Sequence, residues 1–371
     1  MIDQGSRRTH PKMSNFDPIH TDPTTTLDPF TSFNLTDATY KTISSHPISC
    51  TIFTPKTPHP GPRPVIVRWH GGFLFTGSRT FADWWPAWLI EYALHHSAIL
   101  ISPDYRLLPE ATGSDILSDI EDFWAWLPRE LPFLLASLQP TPMEADWERV
   151  MVTGDSAGGW CAVHSVFAVV RQNQALEQGV LETKVKVPEV RIRAAAIAYG
   201  MLDMRSAWWT QPGEKHPFGA PSVPSSVLDA HVAAVQSGKA PRVVSSATPP
   251  ERQHFPMAAL QAGLFEKYIG SERYLYPIEV VEDFSVKAGE ASMAGLPKWW
   301  LYSGEQDGAV PVEGTIKFAE AVKKAQEPEE VLVTICEGDH GFEGVQHDRE
   351  GMRAEWCRQG IQFLDRAWLG A

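Results

Sequence analysis

The sequence is poor in features that mark several large classes of protein. Its four cysteines, at positions 50, 161, 336 and 357, form no CxxC pair, so neither a zinc site nor a disulfide framework is expected. No apolar run reaches the length of about 18 residues that a membrane-spanning helix needs. The basic residues near the N-terminus precede no apolar stretch, so no secretory signal is recognised. We therefore expect a cytoplasmic protein with reduced thiols and no stable membrane insertion.

Positive charge is also scarce. The chain has 32 Lys and Arg against 45 Asp and Glu, which gives a formal net charge of −13. A nucleic-acid partner would require a basic face, so none is expected. The 371 residues, with 43% hydrophobic content, are enough for one large domain or for one domain with an inserted lid.

Short apolar runs alternate with segments of helical periodicity. The predicted strands are 64–70, 98–105, 149–155, 192–200, 297–304 and 331–338, and the predicted helices are 81–96, 115–127, 157–172, 312–325 and 354–369. Residues 38–54 add a predicted hairpin. The alternation indicates an α/β fold: a doubly wound, mostly parallel sheet of about eight strands with helices on both faces.

One long segment interrupts this alternation and suggests a division into domains. Residues 203–280 contain a stretch rich in Pro, Gly and aromatic residues, with predicted helices at 225–238 and 256–268, and are interpreted as an inserted helical cap. The alternative is a peripheral decoration with no role at a site. Residues 1–40 are predicted to be a flexible lead-in and part of the cap. The catalytic core is then residues 41–202 and 281–371.

The peptide Gly154-Asp155-Ser156-Ala157-Gly158 fits the pattern G-x-S-x-G between a predicted strand and a predicted helix. In that context a sharp turn raises the serine hydroxyl above the sheet, and the helix N-terminus favours developing negative charge. A glycine-rich turn with an incidental serine is the alternative. Residues on other loops favour the interpretation of Ser156 as a nucleophile.

Three loops after other predicted strands supply the partners that a serine nucleophile needs. His70-Gly71-Gly72 can bring backbone N–H groups to an oxyanion. Asp307 is a better candidate acid than Glu305, which comes earlier in its loop, and His340 follows the last predicted strand. The order Ser, Asp, His, with each residue after its own strand, predicts a triad in which His340 is the base and Asp307 orients it.

Four motifs in order, HGG at 70–72, DYRLLPE at 104–110, GDSAGG at 154–159 and the pair SGEQD and GDHGF at 303–307 and 338–342, resemble those of the hormone-sensitive-lipase-like esterases of the α/β-hydrolase fold. The resemblance implies Ser156 as nucleophile, Asp307 as acid and His340 as base. It also implies an oxyanion hole formed by the amides of Gly72, Phe73 and Ala157, with Gly71 in support. Two residues depart from the family pattern. Phe73 replaces the third glycine of HGGG, and Trp160 replaces a smaller polar residue.

The resemblance implies a serine hydrolase that cleaves carboxylic esters without a metal or other cofactor. Its substrate is expected to be a small apolar or aromatic ester or acyl compound, and homo-oligomerisation is left open. Candidate pocket residues are Phe75, Trp84, Trp85, Asp155, Trp160, Trp208, Trp209 and Phe218. One alternative keeps the site but assigns it to natural-product biosynthesis, as deacylation, release of a carrier-protein thioester, or cyclisation. The other is a ligand-binding protein on a hydrolase scaffold.

Overall fold

A computed structural model gives the three-dimensional structure of most of the chain. The structure describes residues 28–57, 61–137, 143–179, 187–287, 295–344 and 350–370. Most of the predicted lead-in, residues 1–27, lies outside these ranges.

In the described ranges, eight strands form one sheet, which confirms the predicted fold class. The strands are β1 Phe33–Ile43, β2 His46–Pro55, β3 Arg63–Trp69, β4 Ile99–Pro103, β5 Ala145–Asp155, β6 Ile192–Ala198, β7 Lys298–Gly304 and β8 Val331–Cys336. Their spatial order is β1-β2-β4-β3-β5-β6-β7-β8. β2 pairs antiparallel with both β1 and β4, and all other neighbours are parallel. The carboxyl ends of β3 and of β5 to β8 therefore meet at one edge.

Helices cover both faces of the sheet. They are α1 Ala87–His95, α2 Gly113–Ser137, α3 Ala157–Glu177, α4 Ala207–Thr210, α5 Ser226–Gln236, α6 His254–Gln261, α7 Phe265–Ile269, α8 Pro277–Lys287, α9 Val312–Ala325 and α10 Glu355–Leu364. Short 3-10 turns occupy Ala82–Trp84, Pro217–Gly219, Arg273–Leu275, Pro328–Glu330 and Gly351–Arg353, and a π-helical turn, Asp365–Leu369, extends α10.

The alternation of side chains along the central strands divides the core between the two faces. Val65 and Val67 of β3 pack in the cluster that includes α2 and α3, whereas Ile66 packs in the cluster that includes α1 and α10. All three side chains are fully buried. Strands that are buried on both faces have continuous apolar runs in their sequences, so the apolar runs predicted their positions well.

The segment between β6 and β7 carries α4 to α8. The predicted helix at 225–238 is α5, and the one predicted at 256–268 is divided into α6 and α7. The buried ammonium of Lys215 donates to the carbonyls of Trp208, Gln211 and Leu260, with Nζ–O distances of 2.6, 2.5 and 3.0 Å. These bonds join the start of the segment to α6.

Two predicted domain boundaries fall inside secondary-structure elements. Residue 40 lies inside β1, which pairs with β2 along its whole length, so the core sheet includes residues assigned to the lead-in. Residue 280 lies inside α8. The strand and helix continue through these positions because their apolar residues pack into the same core.

All four cysteines are free thiols, three of them buried. No helix in the described ranges is long and apolar enough to cross a membrane.

Helix α10 approaches β7 at a glycine, which gives a test of this packing. A Cβ on Gly360 would overlap the indole ring of Trp300. We predict that Gly360→Ala lowers the free energy of unfolding by about 1–3 kcal/mol, because the ring has no room to move. The matched control is Gly314→Ala in α9, where the nearest atom to a Cβ would be 3.4 Å away.

The control should be neutral or stabilising by up to about 1 kcal/mol, since alanine favours helix. Urea denaturation of both variants measures the difference. Equal stability of the two variants would contradict the close contact at Gly360.

Candidate active site

Ser156 occupies the turn between β5 and α3. Its φ of 56° and ψ of −119° lie outside the regions that non-glycine residues favour. The amide of Ser156 donates to the carbonyl of Ala198 at 2.9 Å. Its own carbonyl accepts from the amides of Gly159 and Met201, both at 3.0 Å. These bonds hold the strained residue at the carboxyl edge of the sheet and at the N-terminus of α3.

His340 and Asp307 form a direct pair on the loops after β8 and β7. Nδ1 of His340 lies 2.8 Å from Oδ2 of Asp307. The other carboxylate oxygen accepts from the amides of Ala309 and Val310, at 2.9 and 2.8 Å. Because a carboxylate only accepts, the His340 Nδ1–H donates, and Nε2 is left free to accept a proton.

The surroundings of His340 favour its protonated form. Burial by itself lowers the pKa of this imidazole, but the negative charge and hydrogen bond of Asp307 more than offset it, and the pKa is raised above 6.5. The side chain of His340 is 9% exposed and that of Asp307 is fully buried. The pair can therefore take up a proton and stabilise the resulting imidazolium. Glu305, the other acid considered, is exposed.

The HGG loop is held against the serine turn by a buried carboxylate. The amide of Gly71 donates to Oδ2 of Asp155 at 3.1 Å, and Oδ1 lies 2.7 Å from Nη2 of Arg68. Arg68 also donates to the carbonyl of Trp84 at 2.7 Å. Burial raises the pKa of Asp155, and the Arg68 charge partly offsets this. Asp155, predicted as a pocket residue, thus joins the two loops.

Three backbone amides of the HGG loop and the serine turn have no hydrogen-bond acceptor among the described residues. Those of Gly72, Phe73 and Ala157 donate to no acceptor within the part of the chain that the structure describes. The Gly72 carbonyl accepts from Phe75 and Thr76, at 3.0 and 3.1 Å, and closes the turn. These amides are the ones predicted for an oxyanion hole.

Phe73 keeps the backbone conformation that a glycine would favour. Its φ is 58° and that of Leu74 is 67°. The Phe73 ring lies 6.2 Å from the Trp209 ring and 6.3 Å from the Phe265 ring, measured between centroids. The substitution therefore preserves the turn, and the aromatic side chain contacts the cap segment.

Three of the predicted pocket residues lie beside the candidate site. Phe218 is 57% exposed, and its ring centroid is 5.6 Å from that of His340. Trp208 is half-buried and donates to the Ala309 carbonyl at 3.0 Å. Trp84 is half-buried next to Gly72, where an added Cβ would meet its ring at 3.2 Å.

Three other candidate pocket residues are packed inside the protein. Phe75, Trp85 and Trp160 have no exposed surface. Phe75 packs on two rings of α7, Trp85 packs on Phe30 and Phe53, and Trp160 donates to the Leu275 carbonyl at 2.7 Å. Each ring fills the core or the underside of the cap, a distinction that residue type alone does not reveal.

The sequence reasoning missed two residues near the pair, Tyr199, which contacts His340, and Glu343, which is bonded to Tyr199. The ring of Tyr199, just after β6, lies 4.2 Å from the His340 ring between centroids. Its hydroxyl donates to Oε1 of Glu343 at 2.6 Å. The spacing of Glu343, three residues after His340, was the only available signal. Within the described ranges, no cluster of His, Cys, Asp and Glu could hold a metal ion.

Comparison with known proteins places this geometry in context. A family model described as alpha/beta hydrolase fold matches residues 66–266. The chain is 30% identical over 342 residues to probable carboxylesterase M8 of Phoma sp., covering 91% of this chain and 98% of that protein. It is 23% identical over 344 residues to non-reducing polyketide synthase stbA of Stachybotrys bisbyi, covering 85% of this chain but 14% of the synthase.

A solved structure has the same fold. Carboxyl esterase 2 of the mycorrhizal fungus Tuber melanosporum matches with a TM-score of 0.54 at 14% identity, covering 91% of this chain and 89% of the other.

The contact between the HGG loop and the serine turn can be tested without a substrate. A Cβ on Gly71 would lie 2.9 Å from Oδ2 of Asp155 and 3.3 Å from Cβ of Ser156. We predict that Gly71→Ala slows labelling by an alkyl fluorophosphonate about 10–100-fold, because displaced donors stabilise the developing charge less well. Gly213→Ala, with its nearest atom 3.7 Å away, is the control. Labelling of Gly71→Ala at the native rate would contradict the contact.

Proposed function

Since the chain belongs to the α/β-hydrolase fold family and is a carboxylesterase-like enzyme, we propose that it cleaves carboxylic esters through an acyl-enzyme on Ser156. The observation that carries the proposal is the meeting of two devices at one edge of the sheet. One is the His340–Asp307 pair at 2.8 Å, and the other is the set of unbonded amides flanking Ser156.

The reaction has two halves. Ser156 Oγ attacks the ester carbonyl as His340 Nε2 takes the hydroxyl proton, and Asp307 stabilises the imidazolium. The amides of Gly72, Phe73 and Ala157 donate to the oxyanion. The C–O bond to the alcohol breaks, and the alcohol leaves with the proton from His340. Water then repeats the sequence on the acyl-enzyme and releases the acid.

Every step is a proton or acyl transfer between groups of the chain and the substrate, so the proposal includes no cofactor. The partly exposed rings of Trp84, Trp208 and Phe218 beside the site favour a small apolar or aromatic ester.

Turnover of p-nitrophenyl esters from acetate to dodecanoate tests the proposal. We predict that Ser156→Ala lowers kcat by about 10⁴-fold or more, because the nucleophile is lost. Ser165→Ala is the matched control, since Ser165 is buried in α3, the helix that follows Ser156, and its hydroxyl donates to the Cys161 carbonyl at 2.9 Å. The control should keep native activity. Equal turnover by Ser156→Ala and the native enzyme would refute the acyl-enzyme.

Phe73 offers a separate test of substrate size. We predict that Phe73→Gly raises kcat/KM for a branched or aromatic acyl ester, relative to acetate, by about 10-fold or more, because space opens beside the oxyanion donors. The turn should persist, since glycine favours the φ of 58° found there. If the ratio of kcat/KM for the bulky ester to that for acetate is unchanged, the acyl group does not bind beside Phe73.

A second candidate function is release of an acyl thioester in natural-product biosynthesis. The match to a non-reducing polyketide synthase over 85% of this chain favours it. The same site would attack a thioester carbonyl and expel a thiol. The ratio of kcat/KM for an acyl-N-acetylcysteamine thioester to that for the matching oxygen ester separates the two functions. A folded protein that turns over neither would favour a ligand-binding role.

A further inference from the structure

A buried hydrogen-bonded pair lies against the imidazole of His340. The Tyr199 ring contacts the His340 ring at a centroid distance of 4.2 Å, with 52° between the ring planes. The backbone of Tyr199 is held by its amide, which donates to the Tyr302 carbonyl at 2.7 Å, and its φ of 35° is positive. Its hydroxyl donates to Glu343 at 2.6 Å. The phenol therefore connects the imidazole to a second carboxyl group.

Glu343 lies on a loop but has the burial of a core residue. It is fully buried, and its carbonyl accepts from the amide of Ala87 at 3.2 Å, which holds the His340 loop against α1. Oε1 accepts from Tyr199, but Oε2 has no partner within the described residues. A buried carboxyl with one unsatisfied oxygen is costly when ionised.

The charge of Glu343 is set by its surroundings. Burial raises its pKa from 4.5 to about 7, despite the hydrogen bond from Tyr199. The other titratable groups that face Glu343 or His340 are Asp155 at the end of β5, Tyr302 of β7, Asp307 on the next loop, Cys336 at the end of β8, and Asp339, whose Oδ1 accepts from the His340 amide at 2.7 Å. No cation among these groups neutralises Glu343.

We propose that Glu343, acting through Tyr199, is a positioning residue that holds the His340 ring and sets the pH at which that ring becomes a base. The proposal rests on the role of His340 in the proposed function. Tyr199 contacts the ring, and Glu343 orients Tyr199 while supplying a charge that can be switched by one proton.

The sign of the effect follows from Coulomb's law. Ionised Glu343 stabilises the imidazolium and raises the pKa of His340, whereas protonated Glu343 does not. The charge of each group shifts the pKa of the other, so their titrations are coupled. As the pH rises, ionisation of Glu343 opposes loss of the His340 proton. The neutral imidazole should therefore form over a wide pH range in the native protein.

Glu343→Gln separates charge from shape, since the amide oxygen can still accept from Tyr199. We expect the His340 titration to become a single ionisation with its midpoint lowered by about 0.5–1.5 pH units. The acid limb of kcat/KM should move with it, so the variant keeps a larger share of its plateau activity near the acid end than the native enzyme does. If the role of Glu343 were purely structural, Glu343→Gln would show no such gain in relative activity at low pH.

Two measurements separate this proposal from the proposed function. Histidine ¹³Cε1 NMR follows the His340 titration directly, with the signal assigned from His340→Asn, and needs no substrate. The pH profile of ester turnover is the second readout. If the native protein does not turn over esters but Glu343→Gln still shifts the His340 titration, the ester reaction is refuted and the role of Glu343 is supported. An unmoved titration in folded Glu343→Gln would overturn the role of Glu343.

Matched controls exist elsewhere in the chain. Glu110→Gln removes another buried carboxylate, which pairs with Arg252 and His231, and should leave the His340 titration unchanged. Tyr199→Phe keeps the ring but removes the bond to Glu343, so kcat should fall more than KM changes. Tyr92→Phe breaks a similar bond, 3.0 Å long, to Asp365 and should not affect kcat. Equal loss of kcat in both tyrosine variants would contradict the positioning role.

Discussion

The buried ion pair between Arg68 and Asp155 fixes the relation between the two loops at the candidate site. The atoms Nη2 and Oδ1 lie 2.7 Å apart, and both side chains are at least nine-tenths buried. Asp155 precedes Ser156 and accepts from the amide of Gly71, so one carboxylate positions Ser156 and the HGG loop together. Removing one partner of such a pair costs about 3–5 kcal/mol, because a charge is left buried and uncompensated. The unbonded amides beside Ser156 depend on this pair for their position.

Three of the carboxyl groups near the His340 imidazole differ in how many hydrogen bonds or ion pairs their oxygens make. Asp307 is bound by the imidazole and by two backbone amides. Asp155 is bound by a guanidinium and an amide. Glu343 is bound through one oxygen by Tyr199. Burial raises the pKa of Glu343 to about 7, and the hydrogen bond from Tyr199 offsets only part of this rise. A permanent charge on all three would hold the imidazole in its protonated form, which cannot act as a base.

Much of the sheet and of the candidate site could be predicted from the sequence. The six predicted strands are found within a few residues of their expected ends, because strands buried on both faces are apolar throughout. Ser156, Asp307 and His340 each follow a separate strand, so parallel topology brings them to one edge. Their catalytic roles remain predictions.

The aromatic residues and Glu343 show the limit of that reasoning. Composition does not distinguish a tryptophan that fills the core, such as Trp85, from one beside the site, such as Trp84, although the two are adjacent in sequence. Glu343 follows His340 on a loop whose sequence is typical of an exposed loop. The packing of this loop against α1 buries the side chain. Both outcomes depend on tertiary contacts between distant segments.

Detection of the acyl-enzyme tests the central claim most directly. The native protein would be mixed with a p-nitrophenyl ester, quenched in acid within milliseconds, digested and mapped by mass spectrometry. The account predicts a mass increase of one acyl group on the peptide that contains Ser156, with none in Ser156→Ala. Turnover with no adduct, or with the acyl group on another residue, would contradict it.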